Sequence, residues 1–207
     1  MGDKINLIFD CDGTLIDSYA AITDVICRAF AKHGLDCDPH YVRELCLYEN
    51  VGFCMEKISE ENGLDADIIK EEYKNTKEKT ELISLYPNVR KVLEDSRFRC
   101  FVYTHRGSSC HEIFKCLDIE DAFADIIDSS YGLEKKPSGR GVEYLVEKYG
   151  LDKSATYYVG DRSMDIECGL NAGVGTIFFK SSGLDIDCSR ADFAVSDLSE
   201  IPAVILR

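Results

Sequence analysis

Residues 5–18 read INLIFDCDGTLIDS, a short and mostly apolar run that stops at once in a loop of acids and glycine. A run of this length bounded by turn residues is expected as a buried strand over Ile5–Phe9. Asp10 and Asp12 then leave the strand two positions apart, and alternate residues of an extended chain point the same way. Two carboxylates so close do not both stay ionised cheaply unless a cation or a shared proton relieves them, so the spacing singles out a metal site or an acid/base pair. An Asp-Gly turn with solvated charges uses the same residue types. Asp17 and Ser18 read as caps of the helix that follows.

Similar apolar or β-branched runs recur at Cys100–Tyr103, Ala124–Ile127, Thr156–Val159 and Thr176–Phe179. Helical patterns lie between them: Pro87–Leu93, Ser109–Leu117, Gly141–Tyr149 closed by Gly150, and Met164–Ala172 closed by Gly173. Strands alternating with helices predict an α/β fold, a Rossmann-like parallel sheet with helices on both faces. One segment departs from the alternation. From about Ser18 to Leu85 the pattern is helical throughout. Ile22, Val25, Ile26, Ala29 and Phe30 repeat at helical spacing behind Ser18, with Gly34 placed to end that helix. Asp38-Pro39 opens a second helix, Phe53–Glu61 forms a third before Gly63, and Asp65 caps a fourth that runs to Lys79. The expected organisation is a core of residues 1–17 and 86–207 and a small all-helical cap domain of residues 18–85, packed as a bundle beside the sheet. Hinges are expected near Ile16–Ser18 and Ser84–Pro87, and the connection Tyr48–Gly52 is expected as a loop that sets specificity.

The chain has 207 residues and a formal charge of −14, with 45% hydrophobic and 30% charged residues. That is a globular composition of ordinary polarity, and the negative charge would repel polyanions, so nucleic acid and anionic membrane surfaces are poor partners. No run reaches the roughly 20 apolar residues of a membrane span. The opening MGDKINLIFD lacks the pattern of a signal peptide, so a cytoplasmic location is expected. Ten cysteines are scattered singly without a close CxxC pair. They are expected as reduced thiols in core or surface positions.

A second acidic site follows Thr156–Val159 as Gly160-Asp161-Arg162-Ser163-Met164-Asp165. With Asp161 at the strand end and Asp165 in the first helical turn, both can point to one spot above the sheet. Helix capping explains either acid alone but not both acidic pairs in one chain. Asp10-x-Asp12-Gly13-Thr14, Thr104, Lys136-Pro137 and Gly160-Asp161-x-x-x-Asp165 stand in the order of the four signature motifs of the haloacid-dehalogenase superfamily. The chain resembles its subgroup with a helical cap after the first motif, which includes phosphoglycolate phosphatases, β-phosphoglucomutases and pyrophosphatase-like enzymes.

The resemblance implies a Mg²⁺-dependent phosphatase acting on a small phosphorylated metabolite. It makes Asp10 the nucleophile and Asp12 the general acid and then base. Thr104 and Lys136 would hold the transferring phosphoryl oxygens. Asp10, the backbone carbonyl of Asp12 and Asp161 would bind the metal, with Asp165 at the metal site orienting a ligand or bound water. Arg106 is expected as a phosphate or substrate contact, and His105 as part of a solvated loop. Of the adjacent Lys135 and Lys136, the Lys-Pro pair selects the second. A dehalogenase relative would lack Asp12. A phosphomutase of the β-phosphoglucomutase type shares all four motifs and stays open, as does a non-catalytic phosphate-binding module. A monomer or weak dimer is expected.

Overall fold

In the computed structural model, which describes residues 4–183 and 186–206, the first apolar run forms strand β1 (Ile5–Phe9). The chain passes through a short β2 (Ile16–Asp17) into four helices, α1 (Tyr19–Ala31), α2 (Pro39–Tyr48), α3 (Val51–Asn62) and α4 (Ala66–Asn75), and leaves them through β3 (Ser84–Leu85). Then come α5 (Val89–Leu93), β4 (Phe98–Tyr103), α6 (Ser109–Cys116), β5 (Phe123–Ile127), α7 (Arg140–Tyr149), β6 (Thr156–Gly160), α8 (Ser163–Ala172), β7 (Gly175–Phe179), β8 (Phe193–Val195) and α9 (Ile201–Ile205).

The large sheet has the order β5-β4-β1-β6-β7-β8, and every neighbouring pair is parallel. Parallel neighbours need crossover connections, and helices supply those from β1 through to β7. From β1 the sheet grows through β4 and β5 on one side, then through β6, β7 and β8 on the other. β1 therefore sits where the strand order reverses, and the carboxyl ends of strands at such a point are where α/β sheets place ligands. Phe9 at the end of β1 is level with Val102 of β4 and Val159 of β6. The residues that follow these three strands emerge side by side.

Burial explains why β1 reads as a continuous apolar run instead of an alternating one. Leu7, Ile8 and Phe9 are all fully buried, so both faces of the sheet are covered. On one face Ile8, Phe101, Tyr103, Ile127 and Tyr158 pack against Val142 and Leu145 of α7 and Cys168 and Ala172 of α8. The approach of α7 is close enough that a Cβ on Gly141 would lie 2.3 Å from the Tyr103 ring. That ring is pinned at its far end, where its hydroxyl donates to the Glu134 carbonyl at 2.9 Å.

The chain divides into two compact units, one of residues 1–16 and 85–207 and one of residues 17–84. Within the second, Asp38 and Asp65 accept backbone N–H groups at the starts of α2 and α4, and Gly63 ends α3 in the left-handed conformation. Several local expectations differ from the structure. Ser18 precedes α1 but makes no side-chain cap bond to it. Asp17 lies in β2 and is not a cap. The fourth helix ends at Asn75, short of Lys79. Tyr48–Gly52 is mostly helix: Tyr48 closes α2, and Val51 and Gly52 open α3 behind Asn50, whose side chain accepts the Phe53 N–H at 2.8 Å. The Asn cap lets α3 start two residues before the apolar pattern announces it. Strand β8 was not legible, because Phe-Ala-Val is too short to show a period. All ten cysteines are free.

Gly141→Ala tests the close approach of α7. Alanine favours a helix by about 1 kcal/mol, yet the pinned Tyr103 ring leaves no room, and overpacking costs about 1–3 kcal/mol. Urea denaturation is expected to show a net loss of stability; a gain would mean that α7 does not sit this close.

Candidate active site

The loop after β1 is built around one carbonyl. Cys11 O accepts the N–H groups of Thr14, Leu15 and Ile16, and Gly13 N–H donates to Ile16 O at 2.9 Å. The turn needs φ +82° at Gly13, which side-chain-bearing residues rarely adopt. Space enforces the same choice, since a Cβ there would lie 2.1 Å from an Asp161 carboxylate oxygen. Thr14 turns its hydroxyl to Asp161 Oδ1 at 3.3 Å. The glycine and threonine of the first motif thus serve the aspartate of the last, a link across 147 positions of the chain.

Asp161 follows β6 directly. Asp165 occupies the third position of α8, where one carboxylate oxygen accepts the Arg162 N–H at 3.1 Å and caps the helix. Its other oxygen faces Lys136. The Lys136 ammonium lies 2.6 Å from Asp10 Oδ1 and 2.7 Å from Asp165 Oδ1, with all three side chains at most 2% exposed. Lys135 next to it is exposed, so burial separates the two lysines.

Oxygens of Asp10, Asp161 and Asp165 all lie within 4.8 Å of one another. Burial and the Asp165 charge push the Asp161 carboxyl well above the usual range. Burial raises Asp10 too, against the pull of Lys136. Burial opposes ionisation of Asp165, but Lys136 and Arg162 outweigh it and hold its carboxyl below the usual range. Burial works against the Lys136 cation, yet Asp10 and Asp165 overcome it and hold the ammonium charged. A second oxygen of Asp10 is buried without a hydrogen-bond partner. Three carboxyls crowded around one ammonium are what a hard divalent cation with oxygen ligands relieves. The residues present fit Mg²⁺.

Thr104 follows β4 and is buried; its hydroxyl accepts the Arg106 N–H at 3.1 Å. The Arg106 side chain grips Asp12 through two nitrogens, with Nε 3.0 Å from each carboxylate oxygen and Nη2 2.5 Å from Oδ1, a contact of the strong charge-assisted kind. Arg106 is thus engaged with Asp12. His105 is half-buried and not a solvated loop residue: its Nε2 accepts the Lys136 backbone N–H at 2.7 Å. The structure brings Asp10, Asp161, Asp165 and Lys136 into one cluster, sets Asp12 with Arg106, and puts Thr104 beside them at the end of the strand next to β1. Thr14 and His105 are the contacts that sequence reasoning missed. A Thr following Asp-Gly was the signal for the first, whereas His105 and Lys136 stand 31 positions apart with no motif joining them.

A family model described as haloacid dehalogenase-like hydrolase matches residues 7–179. The chain belongs to that family, and it is an enzyme of the hydrolase class. A phosphoglycolate phosphatase of Vibrio vulnificus is 26% identical over 98% of this chain and 97% of its own. A pyrophosphatase of Oceanobacillus iheyensis is 24% identical, over 96% of this chain and 95% of its own. Among solved structures, one from Haemophilus somnus described as a predicted phosphoglycolate phosphatase superposes with a TM-score of 0.82 at 19% identity, covering 99% of both chains. Among the described residues no helix is long and apolar enough to cross a membrane.

Replacing Lys136 by Met leaves Asp10 and Asp165 buried face to face without their cation. Breaking a buried pair in this way costs about 3–5 kcal/mol. Urea unfolding of the variant in EDTA is expected to show a loss of that order, whereas wild-type stability would mean that the ammonium is not seated between them.

Proposed function

We propose that the chain is a Mg²⁺-dependent phosphatase that hydrolyses a small-molecule phosphate monoester, of the kind its phosphoglycolate-phosphatase relatives are named for, through an aspartyl-phosphate on Asp10. The observation that carries this is the Asp10 carboxylate: Oδ1 is held by Lys136, while Oδ2 is buried with no hydrogen-bond partner. A carboxylate oriented through one oxygen keeps the other available for attack.

In this reading Asp10 forms a bond to phosphorus as the ester P–O bond breaks, and Asp12 gives the departing oxygen its proton. A water then attacks the aspartyl-phosphate; Asp12 takes its proton, the Asp10–phosphorus bond breaks, and inorganic phosphate leaves with Asp10 restored. Arg106 presents Asp12 as an acceptor, the form the second step needs, so its fork must open for Asp12 to carry the proton of the first. Thr104 and Lys136 hold phosphoryl oxygens. Asp10, Asp161 and the Asp12 carbonyl would hold Mg²⁺, with Asp165 orienting a ligand or bound water; the ion would supply charge neutralisation at the phosphoryl group. Thr14 and Gly13 keep Asp161 in place for that role. Residues 1–17 and 86–207 would form the catalytic core, with residues 18–85 a cap domain that selects the substrate.

Phosphate release from a panel of small phosphate esters tests the proposal. Turnover is expected with Mg²⁺, is lost in EDTA, and falls by at least about 10⁴-fold in Asp10→Asn, in line with loss of a nucleophile. Asp12→Asn is expected to lose about 10²–10⁴-fold, the range of general acid/base catalysis. Release that persists in Asp10→Asn would remove the covalent mechanism. Isomerisation of a sugar phosphate without net release would move the assignment to a mutase.

A further inference from the structure

The segment that delivers Lys136, residues 134–138, contains neither helix nor strand. Irregular backbone in a buried site must find its hydrogen bonds elsewhere. Ser138 N–H donates to Lys135 O at 3.0 Å within the segment, and side chains from outside it provide the rest. Tyr103 donates to Glu134 O at 2.9 Å, Asn171 donates to Pro137 O at 2.8 Å, and the Cys168 thiol donates to Ser138 O at 3.2 Å. These three hold carbonyls on either side of Lys136. The contact to Lys136 itself comes from His105, which accepts its N–H at 2.7 Å.

An imidazole accepts at Nε2 only when that nitrogen carries no proton, so the hydrogen of the neutral ring sits on Nδ1. Burial, reinforced by the Lys136 and Arg162 cations, pushes the His105 pKa down to about 3. The acceptor is therefore present at any working pH. The ring is held edge-on to Tyr103, with centroids 6.2 Å apart. Tyr103 also anchors Glu134, so one pair of neighbours at the end of β4 grips the segment twice.

We propose that His105 is a positioning residue for Lys136: its neutral Nε2 holds the Lys136 backbone so that the ammonium stays seated between Asp10 and Asp165. The assignment rests on the reading of Lys136 as a phosphoryl-holding group. Small displacements matter there, because interactions that strengthen as charge develops depend on preorganised geometry. The turn after β4 then serves three motifs with three consecutive residues: Thr104 by its own hydroxyl, His105 through Lys136, and Arg106 through Asp12.

Three variants test it. Gln places an acceptor oxygen about where Nε2 lies, Asn has the same amide one methylene short, and Leu has none. With the ester that wild type turns over best, His105→Asn and His105→Leu are expected to lose at least about tenfold in kcat with KM changed less than about threefold, and His105→Gln to recover most of it. The Asn and Gln pair separates reach from polarity even if Leu fails to fold. Amide hydrogen exchange at Lys136 reads the same contact without turnover: faster in Asn, close to wild type in Gln. Equal kcat and equal exchange in Asn and Gln would overturn the proposal. Because exchange does not depend on activity, its outcome is separable from a failure of the phosphatase reading.

Discussion

The ammonium of Lys136 between the carboxylates of Asp10 and Asp165 is the constraint on which the site depends. Each of these charges alone would be costly at its depth, and burial of an ion is repaid only with close partners and further hydrogen bonds. The structure meets that requirement from three places in the chain. Asp10 comes from the end of β1, Asp165 from the first turn of α8, and Lys136 from an irregular segment fastened by side chains. Asp161 joins the same cluster, so three carboxyls share one ammonium. Such a set of oxygens has the chemistry that a divalent cation fits.

The sheet sets this geometry before any site residue is considered. Parallel pairing on both sides of β1, with Phe9 level with Val102 and Val159, fixes the relative heights of the loops that follow. A slip of one residue would turn Asp10 and Asp161 to opposite faces of their strands. Fully buried Leu7, Ile8 and Phe9 prevent the slip, because either register error would leave their packing partners unmatched. Core packing and catalytic geometry are in this sense one problem. The same economy appears in the turn after β4, where neighbouring residues reach Lys136 and Asp12 from one short piece of backbone.

The arrangement also accounts for the composition of the motifs. Gly13 is needed twice, for its positive φ and for the approach of Asp161. Asp165 answers two demands with its two oxygens, capping α8 with one and meeting Lys136 with the other. Capping and chemistry were competing explanations of that residue when only its spacing was known. The structure shows the cap on one oxygen and the buried lysine on the other.

By itself the sequence determined the alternation of strands and helices, the helical segment after the first motif, and the identity of the acids, because each leaves a local periodic or compositional signal. The choice of Lys136 over Lys135 came from the resemblance of its Lys-Pro pair to a family motif. Local caps decided details that periodicity blurred, such as the early start of α3 at Val51 behind Asn50. What only the tertiary structure decided are the pairings across long separations: Thr14 with Asp161, Arg106 with Asp12, and His105 with Lys136. A hydrogen bond between residues tens of positions apart has no period and no preferred spacing in the chain. It exists because parallel strands in register bring their carboxyl ends together, and that meeting is a property of the sheet.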